Sequence, residues 1–247
     1  MKKFLVTTFS KKIYDDYAHN LIETYLSTKQ SIPLVCYVEE DVTSYPQHEG
    51  VFYLNLFERS PDCVRFVENN KNPPKGFTHT LKSYRHDAVR FCYKSYSQYD
   101  AKSLGEQMFF IDADCVFLKT IPLSWYNKFL DGKCFGYYPR SKSYYTETGF
   151  IAYDLKKELV QVFFDRFIDH YNSGRLWDFP KGQVDCVVFD EAMNSLRGRP
   201  DFSEKRWGAE VQGHVMAMCP MLKPFIDHKK GERKNMKYSP EREGHTL

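Results

Sequence analysis

Two aspartates lie close together near the end of the most apolar segment of the chain, residues 107–118. Asp112 and Asp114 are separated by one residue, and the apolar run continues after them from Cys115 to Leu118. Such a run predicts a central strand that is covered on both faces. Carboxylates are costly there unless a cation compensates them, and a hard divalent ion that carries phosphates suits both oxygens. The spacing therefore predicts a metal site, and a pair of aspartates that cap a turn or a helix is the alternative.

Alternating strands and helices are predicted to position this pair. Residues 4–9, 34–38 and 51–56 have the β-branched and aromatic content of strands, whereas residues 14–27 and 83–96 repeat apolar side chains at helical spacing. The prolines and the glycine between them predict a surface loop over residues 57–80. This order indicates an α/β sheet, in which ligands bind at the carboxyl ends of the strands.

Composition indicates one folded domain, because 42% of the 247 residues are hydrophobic and 27% are charged. The seven cysteines are odd in number and include no C-x-x-C pair, so they predict reduced thiols and a reducing compartment. Asp112 and Asp114 interrupt the most apolar stretch, so no membrane span is predicted and the cytoplasm is the expected location. A net charge of +3 does not by itself require a nucleic-acid partner.

Four short segments carry a family resemblance. They are FFIDADCVFLKTI from Phe109, TGFIAYDLKK from Thr148, VFDEAMN from Val188 and HKKGERK from His228. In these segments and their order the chain resembles GT-A glycosyltransferases, most of all the family that includes glycogenin and the bacterial lipopolysaccharide galactosyltransferases. The resemblance implies an α/β fold with a GT-A, Rossmann-like mixed sheet flanked by helices in a single domain. It divides the chain into a nucleotide-binding half (1–118), a sugar and acceptor half (119–235) and a tail (236–247).

The same resemblance assigns a metal and a diphosphate site. Asp112, Asp114 and His228 would be the ligands of Mn²⁺ or Mg²⁺. The segment that starts at His228 is similar to the family's H-x-x-G-x-x-K, in which Gly231 and Lys234 would lie at the donor diphosphate, although the usual Pro-Trp after the lysine is missing. The donor implied is a nucleotide sugar, with a UDP-sugar as the first expectation.

The sugar and acceptor side is assigned by the two middle segments. Thr148 and Gly149 would line it, although Glu147 or Thr148 stands where the family commonly has asparagine. Asp190 and Glu191 resemble the family's D-Q-x-x-x-N at the start of a helix and are the predicted catalytic residues, which position the sugar or assist the acceptor hydroxyl. Carboxylates that only favour the helix dipole are the alternative. The predicted cofactor-binding residues are Thr7, Thr8, Arg85, Arg90, Asp112, Ala113, Asp114, Thr148, Gly149, Gly231 and Lys234.

Other charged residues near these segments have two interpretations. Arg85 and Arg90 lie on the helix before the metal strand, where the family often places a basic residue near the donor; solvated helix-face charges are the alternative. His214 is the next candidate metal ligand. The alternative is a histidine whose ring is hydrogen-bonded in the core or at a strand edge. The loop 137–145 combines aromatic rings with cations that can stack on sugars or nucleotides, whereas an exposed loop without a catalytic role is the alternative.

The sequence therefore predicts a metal-dependent hexosyl- or pentosyltransferase that moves a sugar from a nucleotide sugar to an acceptor hydroxyl. A saccharide or lipid-linked saccharide is the first acceptor, a hydroxymethylated base in DNA is the second, as in phage DNA glucosyltransferases, and a protein hydroxyl is the third. The resemblance favours retention at the anomeric carbon, and Glu191 keeps inversion open. The rivals are a haloacid-dehalogenase-type phosphatase, whose D-x-D-x-V pattern residues 112–116 match, and a non-catalytic nucleotide-sugar-binding domain.

Overall fold

The protein is described by a computed structural model over residues 1–71, 84–140, 145–208, 215–236 and 238–242. Its strands are β1 (Lys3–Phe9), β2 (Leu34–Val38), β3 (Val51–Asn55), β4 (Gln107–Ile111), β5 (Cys115–Phe117), β6 (Phe135–Tyr138), β7 (Glu147–Asp154), β8 (Glu204–Arg206) and β9 (Ile226–His228). The helices are α1 (Lys11–Ile13), α2 (His19–Ser27), α3 (Leu56–Arg59), α4 (Pro61–Asn69), α5 (Ala88–Ala101), α6 (Leu123–Leu130), α7 (Glu158–Asn172), α8 (Asp185–Asn194) and α9 (Val215–Met218). A π-helical segment, Tyr14–Ala18, joins α1 to α2.

Seven strands form one mixed sheet in the order β3-β2-β1-β4-β7-β6-β8. Strands β3, β2, β1 and β4 run parallel, and β7 pairs with β4 in the antiparallel direction. Strands β5 and β9 form a separate antiparallel pair. The prediction of a mixed α/β sheet flanked by helices in a single domain is confirmed.

Both faces of the sheet are covered, which explains why its central strands are almost entirely apolar. Helices α4, α5, α7 and α8 contribute to the core on one face, and α2 and α6 contribute to the core on the other. Residues Met108–Ile111 of β4 are at most 1% exposed. The strand that leads to the aspartate pair is therefore fixed by packing on both sides.

The apolar run 107–118 is not one continuous strand, as the sequence predicts, but two strands separated by a turn. Strand β4 ends at Ile111 and β5 begins at Cys115, and the Cys115 N–H donates to the Asp112 carbonyl (3.1 Å). The two carboxylates thus lie in the turn, at the carboxyl end of β4. This placement leaves 27% of Asp112 and 17% of Asp114 exposed, whereas a strand interior would bury them completely.

The predicted loop 57–80 is wrong over its first half, which forms α3 and α4. Asn55 caps α3 through its side chain, and Pro61 occupies the first position of α4, where a proline costs no hydrogen bond. Residues 72–80 lie outside the described part. Helix α5 begins at Ala88, later than the predicted position 83, because the Asp87 carboxylate caps the Arg90 N–H (3.0 Å). Among the helices that the structure describes, none is long and apolar enough to cross a bilayer.

Candidate functional site

The turn between β4 and β5 holds Asp112 and Asp114 at the edge of the sheet. The Asp112 N–H donates to the Gly149 carbonyl of β7 (2.8 Å), so the neighbouring strand fixes where the turn starts. The side chains remain reachable, with 27% of Asp112 and 17% of Asp114 exposed. In α/β sheets, ligands bind at this edge, outside the carboxyl ends of the parallel strands.

Strand β9 brings His228 to the same turn. His228 pairs with Cys115 across the β5–β9 ribbon, and the Lys229 N–H donates to the Asp114 carbonyl (2.7 Å). The His228 Nε2 lies 2.9 Å from Asp114 Oδ1 and 3.7 Å from Asp112 Oδ2. His228, far from the aspartate pair in sequence, therefore lies within contact distance of both predicted aspartate ligands.

The donor atoms at this turn fit a divalent ion. Ligand atoms of Asp114, Cys115 and His228 all lie within 4.8 Å of one another. Cys115 is a poor ligand here, because burial raises the pKa of its thiol well above the ordinary value and keeps it protonated. Asp112 would supply an oxygen instead, and two carboxylates with one imidazole suit Mn²⁺ or Mg²⁺.

Burial and the charges around the turn shift the pKa values of the two aspartates in opposite directions. Burial raises the pKa of Asp112, although Lys94 and His228 oppose this. Burial acts in the same direction on Asp114, but His228 and Lys234 outweigh it and hold that pKa below its ordinary value. Asp114 is thus held as a carboxylate.

A buried lysine that the sequence analysis missed joins the turn to α8. Lys94 Nζ lies 2.7 Å from Asp112 Oδ1 and 2.7 Å from Asp185 Oδ2, and its side chain is 11% exposed. Thr148 donates to Asp185 Oδ2 (2.6 Å). Burial would raise the pKa of Asp185, but Lys94 and Thr148 hold it below the ordinary value. Lys94 follows Arg90, a predicted site residue, by four positions in α5, so the two side chains lie on the same face of the helix. This spacing is a signal in the sequence that could have identified Lys94.

Helix α8 starts at Asp185, five residues before Asp190, so the predicted acidic pair does not lie at a helix start. The Asp190 Oδ2 accepts the Thr146 N–H (3.1 Å) and thereby anchors the segment before β7. Glu191 is exposed, and six residues place it roughly 240° around the helix from Asp185. The structure does not bring Glu191 to the aspartate turn.

The segment that follows β9 places Lys234 next to the aspartate turn. Its Nζ lies 3.8 Å from Asp114 Oδ2 and 3.4 Å from the ring centroid of Tyr17 in the π-helical segment. Gly231 has φ +65°, a backbone conformation that favours glycine and bends the chain between His228 and Lys234. A cavity of about 610 Å³ opens beside Asp114 and Lys234.

The remaining predicted site residues differ in how exposed they are. Arg85 and Arg90 are exposed, and the Arg85 carbonyl accepts the Gln183 N–H (2.7 Å). Thr7 is fully buried, whereas Ala113 and Thr8 are partly buried. His214 and residues 141–144 of the predicted loop lie outside the described part of the chain.

Glu147, one of the two residues predicted to stand where asparagine is common, is a buried carboxylate next to the turn. It is 4% exposed, and it accepts the Gly149 N–H (3.0 Å) and lies 3.3 Å from Arg140 Nη2. Burial would raise the pKa of Glu147, but His228, Lys230 and Arg140 hold it below its ordinary value. Glu147 therefore adds a further acid on the β7 side of the turn, beside Asp185.

A side chain at Gly149 is expected to crowd the aspartate turn. A Cβ there would lie 2.9 Å from Glu147 Oε1, 3.0 Å from Asp112 Oδ2 and 3.0 Å from Met216 Sδ, so all three would have to move. We expect Gly149→Ala to destabilise the protein by about 1–3 kcal/mol and to weaken Mn²⁺ binding, as urea unfolding and titration calorimetry would show. Gly198→Ala is the matched control, since no atom lies within 4 Å of its Cβ. Equal stability of the two variants would contradict the crowding.

Glu39, the first residue after β2, has no hydrogen-bond or ion-pair partner among the described residues. Burial, together with the neighbouring charge of Glu40, raises its pKa to about 7. Burial raises the pKa values of Tyr45, Tyr93 and Cys92 well above 7, and the charge of Glu39 raises them further.

We expect this carboxyl to make the protein less stable as pH rises from about 5 to 8. The folded state holds the Glu39 proton to a higher pH than the unfolded chain does, so the free energy of unfolding falls through that window. Urea unfolding at several pH values would measure the slope, and Glu39→Gln should reduce it. An unchanged slope in that variant would show that other groups cause it.

The fold resembles a solved glycosyltransferase. The crystal structure of mouse xyloside xylosyltransferase 1, apo form, matches with a TM-score of 0.50 and 11% sequence identity, over 83% of this chain and 85% of that one. At this identity the likeness shows the fold alone. No family model and no curated protein sequence matches the chain.

Proposed function

We propose that the protein is a metal-dependent glycosyltransferase that takes a sugar from a nucleoside diphosphate sugar, with a UDP-sugar as the first candidate. The observation that supports it most is the convergence of Asp112, Asp114 and His228 at the carboxyl end of β4, beside the buried Lys94–Asp185 pair. The shared fold supports it independently.

Asp112, Asp114 and His228 would hold Mn²⁺ or Mg²⁺, which supplies positive charge for the diphosphate that leaves the sugar. Lys234 would add a second cation at that diphosphate, because its ammonium already lies 3.8 Å from Asp114. The bend at Gly231 allows His228 and Lys234 to approach the same carboxylate from one segment.

The sugar would lie on the β7 side of the turn. Asp185, Glu147 and Thr148 offer oxygen atoms there, and sugar hydroxyls donate to such acceptors. Lys94 holds Asp112 and Asp185 in fixed positions, and such rigidity places a reacting group without further ordering cost. The first acceptor class is a saccharide or lipid-linked saccharide hydroxyl.

A donor-hydrolysis screen tests the proposal. UDP-, GDP-, CDP- and ADP-sugars would be incubated with the protein in Mn²⁺, in Mg²⁺ and in EDTA, and nucleoside diphosphate release would be measured, followed by mass detection of products with saccharide acceptors. Metal-dependent release from at least one donor is the expected result. Release of phosphate from phosphomonoesters, without any nucleotide release, would overturn the transferase in favour of a phosphatase.

A further inference from the structure

The chain after His228 forms a loop that returns to the strand from which it starts. We call residues 229–238 the lysine loop, apart from position 237, which lies outside the described part. Lys234 lies in this loop, and its ammonium is 3.8 Å from Asp114 Oδ2. Where the loop ends, the Ser239 Oγ donates to the His228 carbonyl (3.2 Å). The two ends of the loop are therefore joined beside the metal site.

A buried carboxylate closes the base of the lysine loop. Asp227, in the middle of β9, is completely buried, and its Oδ2 accepts the Ser239 N–H (2.8 Å). Side chains alternate along a strand, so Asp227 is directed away from the face on which His228 meets the aspartate turn. Neighbouring residues of β9 thus hold two different things, the metal site on one face and the loop on the other.

Two buried cations fasten the same segment. Lys229 Nζ lies 3.5 Å from Asp227 Oδ2 and donates to the Met236 carbonyl within the loop (2.6 Å). Arg242, which is also buried, donates to the Ile226 carbonyl of β9 (3.2 Å). Removal of the Asp227 carboxylate would leave the Lys229 ammonium buried without an acid, which is strongly unfavourable. The loop would then lose its fixed position.

Lys234 depends on this base, because few contacts hold it directly. Its ammonium lies 3.4 Å from the ring centroid of Tyr17 and near Asp114, and its side chain remains 28% exposed. A lysine in an unrestrained loop would have to be ordered when a ligand binds, which costs conformational entropy. A loop that is fixed beforehand avoids part of that cost.

We propose that Asp227 is a positioning residue, which acts through the lysine loop to hold the Lys234 ammonium where the donor diphosphate binds. This inference rests on the proposed function, which assigns Lys234 to that diphosphate. The Asp227 carboxylate lies beneath the loop and acts on the diphosphate only through the position of Lys234.

Trypsin cleavage of the full chain tests the loop without any ligand. Trypsin cuts after the lysines and the arginine of the loop, and mass spectrometry identifies those cuts. We expect Asp227→Ala to raise the rate of cleavage there at least about tenfold, because the released loop opens more often. Asp227→Asn keeps an oxygen that can accept the same N–H and should have an intermediate rate, which also serves as the test if the alanine variant does not fold. An unchanged rate in both variants would overturn the inference.

Asp100→Asn is the matched control for cleavage. The Asp100 carboxylate is 17% exposed and pairs with Arg59, away from the lysine loop. Its loss should leave cleavage in the loop unchanged, which separates a local release from a general loss of stability.

Titration calorimetry tests the link to Lys234, with UDP, GDP, CDP and ADP in the presence of Mn²⁺. We expect Asp227→Ala to bind the tightest of the four at least about tenfold more weakly, and to bind Mn²⁺ alone within about twofold of the unchanged protein. In a Lys234→Met background, Asp227→Ala should cause little further loss, because the group that it positions is absent.

The contradicting results differ in what they overturn. A loss of equal size in the Lys234→Met background would show that Asp227 does not act through Lys234. An equal fall in Mn²⁺ affinity would show that Asp227 supports His228 instead. Both results would overturn the inference and leave the glycosyltransferase standing. If none of the four nucleotides binds the unchanged protein, the proposed function and the positioning role both fail.

Discussion

Replacing Asp114 with asparagine is expected to lower metal-dependent release of nucleoside diphosphate by at least about a hundredfold. The variant keeps the shape of the side chain but removes the carboxylate that lies closest to His228 (2.9 Å) and to Lys234 (3.8 Å). An amide is a weak ligand for a hard divalent ion, so affinity for Mn²⁺ should fall with activity. Calorimetry with Mn²⁺ and a donor-hydrolysis assay would measure both.

Asp165→Asn is the matched control for this change. Its carboxylate is 61% exposed and contacts Lys102 on the surface, so both Mn²⁺ affinity and activity should remain at the level of the unchanged protein. Thermal unfolding of the two variants would exclude a general loss of folding. Full activity in Asp114→Asn, with normal Mn²⁺ binding, would defeat the assignment of this carboxylate to the metal.

The sequence predicted the part of the site that local pattern determines. Two acids at the end of an apolar strand can only be accommodated at an open edge, and this reasoning located Asp112 and Asp114 correctly at the carboxyl end of β4. It did not predict the turn after Asp112, because the apolar residues Cys115 to Phe117 continue the pattern although they belong to β5. Hydrophobicity alone does not distinguish two short buried strands from one long one.

Lys94 and Asp185 could not be found in the same way. Each lies in a different helix, and they meet only because α5 and α8 pack on the same face of the sheet. Asp185 was also overlooked because the family resemblance predicted that the helix starts at Asp190 and Glu191. Helix α8 instead starts at Asp185, five residues before Asp190. Contacts between distant segments depend on tertiary packing, which periodicity in one sequence does not show.

Replacing Lys94 with methionine is expected to lower the free energy of unfolding by about 3–5 kcal/mol and to abolish activity, since the buried Asp185 and the partly buried Asp112 lose their shared cation. Lys94 contacts Asp112 and Asp185 at 2.7 Å each and lies 4.8 Å from the ring centroid of Phe110. Burial would lower the pKa of the ammonium, but the two acids outweigh it and raise the pKa above its ordinary value. The lysine is therefore charged at neutral pH.

A double-mutant cycle separates the loss of this charge from a loss of packing. In Lys94→Met combined with Asp185→Asn, one uncompensated charge is gone, so we expect at least about half of the lost stability to return while activity stays absent. Mn²⁺ should stabilise Lys94→Met more than the unchanged protein, because the ion then compensates Asp112 in place of the ammonium. Lys102→Met, in a pair whose acid is 61% exposed, should cost no more than about 1 kcal/mol. Strictly additive losses in the cycle would show that Lys94 stabilises through its packing and not through its charge.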